Sequence, residues 1–220
     1  MNWNDSLYWY WRERGGDFFA SALYMDSGVL FLDVPHGPAF IQCGETTFYN
    51  GQARREIAVT LRACLERSCY LTVRKETFSW RGEGGGGPQP PSEDGVPEVA
   101  ARRNVRAREP GFAPQVLQSR RLQALLRAEP GAWLQISPLQ AGALEHLVSV
   151  RKDAEHLEES LDSRGQAAGR DVPNQCKLYA ESGFREQMDG LVEMARMARD
   201  GANLWQRRGR EPGHGREDGV

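Results

Sequence analysis

The sequence has little of what marks a secreted or membrane-bound protein. It holds four cysteines in 220 residues, which is few for a disulfide framework, and we expect them to be reduced thiols. The chain does not open with a basic start followed by an apolar run, so no signal peptide is predicted. The longest apolar stretch, Val29 to Val34, is interrupted by Asp33 and is too short to cross a bilayer. We therefore expect no membrane partner and a cytoplasmic location, or a nuclear one if the source is a eukaryote or its virus.

Lysine is also scarce, since only Lys75, Lys152 and Lys177 among the 28 basic side chains are lysines. The formal net charge of −2 provides no bulk attraction to nucleic acid or to acidic lipid. The proportions of 40% hydrophobic and 26% charged residues are those of an ordinary soluble protein.

Catalytic and metal-binding motifs are missing as well. The sequence has no HExxH and no paired Cys/His spacing, and its glycine run at residues 82–87 precedes a proline, unlike a phosphate loop that opens a helix with a lysine. His36 and Cys43 are the closest approach to a nucleophile pair, but nothing nearby supplies an oxyanion hole, so we expect His36 to be a surface histidine. His146 and His156, ten residues apart on a predicted helix, are too far apart to share a metal. We expect no enzymatic activity, no metal and no cofactor.

Glycine and proline concentrate in one stretch, with seven Gly and five Pro between residues 82 and 111. Such a composition has too few apolar groups to offset the entropy of ordering the chain. It predicts a disordered linker at 81–114 between a folded segment at 1–80 and another at 115–206. The Gly- and Arg-rich residues 207–220 are expected to form a disordered tail.

The first segment is rich in aromatic residues and mixes predicted helices with strands. Its first 15 residues fit a helix and an alternating strand equally well. Beyond them, the pattern predicts three short strands, a helix and a last strand. These elements are Gly28–Val34, Ala39–Cys43, Thr46–Asn50, Gln52–Arg67 and Cys69–Phe78, with a tight turn at Gly44-Glu45 joining the second and third.

The second segment shows two apolar stripes whose steps alternate between four and three, as in helices that pack along a narrow seam. The first stripe is Ala143, Leu147, Val150, Ala154, Leu157 and Leu161, on a helix expected to start at Ser137-Pro138 and end near Ser163. The second is Phe184, Met188, Leu191, Ala195, Ala198, Ala202 and Trp205, on a helix expected to run from Ser182 to Gln206. A shorter helix is predicted at Val116–Ala128.

The predicted fold class is therefore α+β: a small aromatic-rich α+β N-terminal domain, a flexible Gly/Pro linker, and a helical bundle or coiled-coil C-terminal segment. The two stripes fit a bundle closed within one chain, and they also fit a seam shared with a partner or a second copy. The long connection between them, from Gln166 to Glu181, leaves both arrangements open.

The favoured function is a non-catalytic interaction or oligomerisation protein that binds a protein partner through its helical half. The residues expected to bind that partner are Leu147, Val150, Leu157, Leu161, Met188, Leu191 and Trp205. The alternative is a nucleic-acid-binding regulatory protein that uses three strands and a helix. In this alternative, Arg54 and Arg55 would lie at the start of the helix and contact phosphate. Residues 1–80 carry 8 basic and 9 acidic side chains, which disfavours this alternative.

Overall fold

The computed structural model describes residues 3–21, 24–47, 53–75, 103–140, 143–153, 177 and 179–208. Within these ranges we number four helices and eight strands in chain order. They are α1 (Trp3–Arg14), β1 (Asp17–Ser21), β2 (Tyr24–Leu32), β3 (Ala39–Thr47), β4 (Ala53–Cys64), β5 (Leu71–Lys75), β6 (Arg103–Ala107), α2 (Phe112–Leu117), α3 (Arg120–Ala128), β7 (Trp133–Pro138), β8 (Glu145–Asp153) and α4 (Phe184–Arg208).

All eight strands belong to one antiparallel sheet with the order β1-β2-β3-β4-β8-β7-β5-β6. The first four strands are neighbours in sequence as well as in space. The next strand, β5, lies three positions away from β4 in the sheet. The later strands β8 and β7 fill the two positions between them, so that β8 pairs with β4 and β7 pairs with β5. The sheet thus joins strands from the segments 1–80 and 115–206, while the predicted domain division at 81–114 stays a prediction.

Side chains alternate between the two faces of this sheet, as the pleat requires. On β4, Ile57, Val59 and Leu61 are fully buried on the face that the helices cover, while Thr60 and Arg62 point to the other side. We call these sides the covered face and the open face. None of the described helices packs on the open face.

The helix predicted at Gln52–Arg67 is wrong, because residues 53–64 of that range form the twelve-residue strand β4. Ile57 and Leu61 are four apart and fit both a helical stripe and a two-residue alternation. The β-branched Ile57, Val59 and Thr60 favour the strand. Pairing with β3 on one side and β8 on the other then satisfies the backbone of β4.

The predicted helical bundle or coiled coil is also wrong. Residues 145–153 of the first stripe form strand β8, and Ser137-Pro138 ends strand β7 instead of starting a helix. Leu147 and Val150 are three residues apart, so they point to opposite faces of the sheet. Leu157 and Leu161 lie outside the described residues.

Three smaller expectations also change. Strand β3 runs straight through Gly44-Glu45, so the predicted turn there is wrong. Residues 103–107 of the predicted flexible linker form the edge strand β6, paired with β5. The predicted helix Val116–Ala128 is two helices, α2 and α3, and the Ser119 side chain caps α3 by accepting a hydrogen bond from the Leu122 N–H.

A helix is present where the second stripe predicted one, but it packs against the sheet and the other helices of the same chain. The stripe residues fully buried on α4 are Phe184, Met188, Leu191, Ala195, Ala198 and Ala202. Helix α4 contacts β4 and β8 across the covered face, and α2 and α3 along its side. The open question at the N-terminus is decided in favour of a helix, because α1 buries Leu7 and Tyr10 in the same core.

Candidate functional site

The open face holds a concavity of about 930 Å³, which is lined by residues of β2, β3, β4 and β8. One row of side chains runs across its floor in register, because Phe31 pairs with Phe40, Phe40 with Thr60 and Thr60 with Ser149. The turn that contains His36 and the segment after β7 form its rims. A concavity of this size is large enough for a drug-sized ligand or a segment of another protein.

Phenylalanines line the end of this face that β1, β2 and β3 form. The ring centroids of Phe19 and Phe31 are 5.8 Å apart, and those of Phe31 and Phe40 are 5.2 Å apart, both edge to face. Phe19 is 58% exposed and Phe31 is 37% exposed. We call these three residues the phenylalanine strip. Exposed aromatic side chains that touch one another form an apolar patch, which is typical of an interaction surface.

Small side chains form the middle of the open face. The hydroxyl oxygens of Thr60 on β4 and Ser149 on β8 are 3.1 Å apart and share a hydrogen bond. Ala58 lies next to them along β4 and lines the same concavity. These small residues lie between larger ones on both sides, and this difference in size makes the open face concave.

Arginine and tryptophan form the opposite end, on β8, β7 and β5. The guanidinium carbons of Arg74 and Arg151 lie 4.7 Å and 5.0 Å from the ring centroid of Trp133. Arg151 also binds Glu56 through an ion pair of 3.1 Å. We call Arg74, Trp133 and Arg151 the Arg–Trp cluster. Guanidinium groups stacked on an indole are held in place and keep their positive charge.

The rim at the β2–β3 turn is held from the opposite layer. Arg199 of α4 is 2% exposed, and its guanidinium donates hydrogen bonds to the carbonyl oxygens of Pro35 and His36. Burial lowers the pKa of Arg199 from its ordinary value. His36 adopts a φ of 69°, a left-handed conformation that is uncommon outside glycine. Helix α4 therefore sets the position of one wall of the concavity.

The two residues considered for nucleophilic catalysis do not meet. His36 lies on the rim of the open face, whereas Cys43 is buried in the core on the covered face. Burial raises the pKa of the Cys43 thiol well above its usual range, so the thiol stays protonated. His146 is fully buried, with Nε2 accepting from the Cys69 N–H at 3.0 Å and Nδ1 placed 2.9 Å from the Leu144 carbonyl oxygen. This histidine joins two loops of the sheet.

Within the described ranges, no three His, Cys, Asp or Glu side chains cluster as a metal site would require. No helix in the same ranges is long and apolar enough to cross a membrane.

Those residues predicted to bind a partner that lie in the described ranges do not form one surface. Leu147 lies on the open face, and Val150 is fully buried on the covered face. Met188 and Leu191 lie on α4 and are fully buried in the core. Trp205 packs on Phe112, with ring centroids 5.1 Å apart. Their role in partner binding stays a prediction.

Arg54 and Arg55, predicted to contact nucleic acid, lie in β4 opposite Thr46 and Glu45 of β3. No helix begins at these two arginines, so the N-terminal N–H groups that were expected to assist phosphate binding are not there.

The sequence reasoning overlooked Phe31, Trp133 and Arg151, which are central to the open face. A signal for Trp133 and Arg151 was present in the alternation of polar and apolar residues along β7 and β8. That alternation identifies a strand with two different faces. It does not identify the neighbouring strands, and the site depends on those neighbours.

Comparison with known proteins finds no matching family model, no similar curated protein and no similar solved structure. The fold and the face together describe a two-layer α+β protein in which helices cover one side of an antiparallel sheet. The open face is therefore the basis for a functional proposal.

Proposed function

We propose that this chain is a non-catalytic binding protein and that a protein partner docks on the open face of its sheet. The observation that carries this proposal is the exposed aromatic lining of a concave sheet face on which none of the described helices packs. Phe19 and Phe31 are 58% and 37% exposed although they touch each other and belong to an ordered sheet. Covering these rings would remove apolar surface from water, at about 25 cal/mol per Å².

The proposal moves the docking surface from the C-terminal stripe to the sheet. Met188 and Leu191 already contribute their apolar surface to the core of this chain. Among the described residues of the predicted set, Leu147 is the one that lines the concavity. Its position on β8, beside the small residues Thr60 and Ser149, makes it part of the new surface.

Photo-crosslinking from inside the living cell tests this proposal. A benzophenone amino acid placed at Gln42, an exposed open-face residue of β3, should form adducts with protein. The matched control places the same amino acid at Ala124, an exposed position on α3 of the other layer. We expect protease-sensitive adducts at Gln42 and few at Ala124 in the full-length protein.

Three outcomes would contradict this assignment. Equal adducts at both positions would mean that the crosslinks are nonspecific, and no adduct at Gln42 would mean that nothing docks on the face. Adducts removed by nuclease instead of protease would favour the nucleic-acid alternative. An adduct with twice the mass of the chain would support the proposal and identify the partner as a second copy.

A further inference from the structure

The open face is polarised, with apolar rings at one end and arginines at the other. The phenylalanine strip lies on β1, β2 and β3. The arginines lie on β8 and β5, and Arg106 extends them onto the edge strand β6. A ligand that covers the whole face must therefore be apolar at one end and acidic at the other.

The arginine end holds donors that the described protein does not use. The Nε atoms of Arg74 and Arg151 are buried and have no hydrogen-bond partner. Arg106 uses its Nε to bind Asn104 at 3.3 Å. Buried polar atoms without a partner are rare in proteins and indicate a missing water or ligand group. A carboxylate accepts several guanidinium hydrogen bonds at once and meets this need.

Carboxylates on the same face limit the kind of anion that fits. Glu56 binds Arg151, and Asp153 lies opposite Glu56 in the register of β4 and β8. A nucleic acid strand carries a phosphate at each nucleotide and would bring several of them past these carboxylates. A protein segment can place its acidic residues only at the arginine end.

Base stacking is disfavoured for a second reason. Arg74 and Arg151 approach the ring of Trp133 from the strands on its two sides, so they compete with a base for stacking on the indole. The rings of the phenylalanine strip pack edge to face against one another. Stacking on free aromatic faces is the main sequence-independent attraction for single strands.

We infer that the open face binds an amphipathic helix of a protein partner, with apolar residues on the phenylalanine strip and carboxylates at the Arg–Trp cluster. This inference rests on the proposed function above. A helix satisfies its own backbone, whereas an extended segment would leave N–H and C=O groups over the apolar strip. Five strand spacings separate β2 from β5. At ~4.8 Å each they span roughly 24 Å, which is about 16 helical residues at 1.5 Å per residue.

Peptide display on the full-length protein tests the inference. A library of random 20-residue peptides is selected against the wild-type chain, and enriched peptides are measured by fluorescence anisotropy. We expect enriched sequences to carry apolar residues at helical spacing near one end and Asp or Glu near the other. Lack of enrichment, or enrichment of peptides without acidic bias, would overturn the inference.

Matched variants locate the contact. Arg74→Gln combined with Arg106→Gln should weaken an enriched peptide about tenfold or more, since hydrogen bonds to charged groups are lost. Changing the acidic residues of the peptide to their amides should cause a similar loss on the wild type and little further loss on the double variant. Arg121→Gln, at an exposed position on α3, is the control and should leave affinity unchanged. Equal binding by all three proteins would contradict the assignment.

A further arm separates this inference from its rival and from the proposed function. The single-stranded oligonucleotide dT20 should bind weakly and show no loss on Arg74→Gln with Arg106→Gln. Tighter binding of dT20 than of any selected peptide would overturn the inference in favour of nucleic acid. Protein adducts at Gln42 combined with non-acidic selected peptides would leave the proposed function standing and refute only the acidic-helix inference.

Discussion

At the scale of single residues, the packing of α4 depends on a glycine, although glycine has a low helix propensity. Gly201 lies inside the helix, where glycine costs about 1 kcal/mol relative to alanine. A Cβ built on Gly201 would stand 2.9 Å from Val116 Cα and 3.1 Å from the Val116 carbonyl oxygen. The missing side chain therefore lets α2 approach α4 closely. Gly190 on the same helix has nothing within 4 Å of such a Cβ.

The same substitution at these two glycines should have opposite effects. Gly190→Ala should raise the free energy of unfolding by up to about 1 kcal/mol, because alanine is the better helix former. Gly201→Ala should lower it by roughly 1–3 kcal/mol, because the backbone of α2 must move. Urea unfolding followed by circular dichroism measures both. Equal stabilisation by the two changes would show that α2 does not lie against α4.

At the scale of elements, a shared carboxylate holds α1 against α4. The Tyr10 hydroxyl donates to Asp189 Oδ1 at 2.8 Å, and Arg14 forms an ion pair with the same carboxylate. A second contact joins Tyr179, just before α4, to Glu13 of α1 at 3.3 Å. Burial, together with the bond to Asp189, raises the pKa of Tyr10 far above its ordinary value. The folded protein thus keeps a proton that the unfolded chain releases near pH 10.

This difference predicts a loss of stability in alkali. Above about pH 10 the native state binds more protons than the unfolded state, so stability falls by up to ~1.4 kcal/mol per pH unit for each such tyrosine. Tyr10→Phe should make the fall between pH 10 and 11 shallower, and at neutral pH it should cost roughly 1–2 kcal/mol by removing a donor from Asp189. Tyr70→Phe, at an exposed position, is the control. An unchanged slope in Tyr10→Phe would contradict the raised pKa of Tyr10 in the folded protein.

At the scale of the whole molecule, the sheet makes the two halves of the chain depend on each other. Strand β4 pairs with β3 on one side and with β8 on the other. Strand β5 has both of its partners, β6 and β7, beyond residue 100. Helix α4 supplies much of the layer that covers β4. A fragment of residues 1–80 would keep the pairing of β3 with β4 and lose the other contacts.

We expect the fragment 1–80 to lack a cooperative thermal transition on its own. Only α1 would still cover part of the sheet, so most of the covered face would be exposed to water, and a small sheet with so little helix over it is marginal at best. Mixing it with the fragment 103–220 should restore a cooperative transition and a single peak in size-exclusion chromatography. Cooperative melting of 1–80 alone would instead support the predicted independent N-terminal domain.

Local sequence determined several elements, because their patterns are short-range. The stripe from Phe184 to Ala202 identifies a helix with one buried face, and that face is buried. The alternation at residues 71–75 identifies a strand. Ser119 occupies a capping position that its side chain fills. Each of these depends on residues within a few positions of one another.

Only the tertiary structure decided what these elements pack against. Ile57 and Leu61 fit both a helical and a two-residue period, and Leu147 and Val150 fit a helical seam although they lie in a strand. Pairing with strands far along the chain determines whether such a segment is a strand, because β4 pairs with β8, which follows about 90 residues later. The backbone of a strand is satisfied only by its neighbours. The open face joins residues from all eight strands of the sheet, so no local pattern could have identified it.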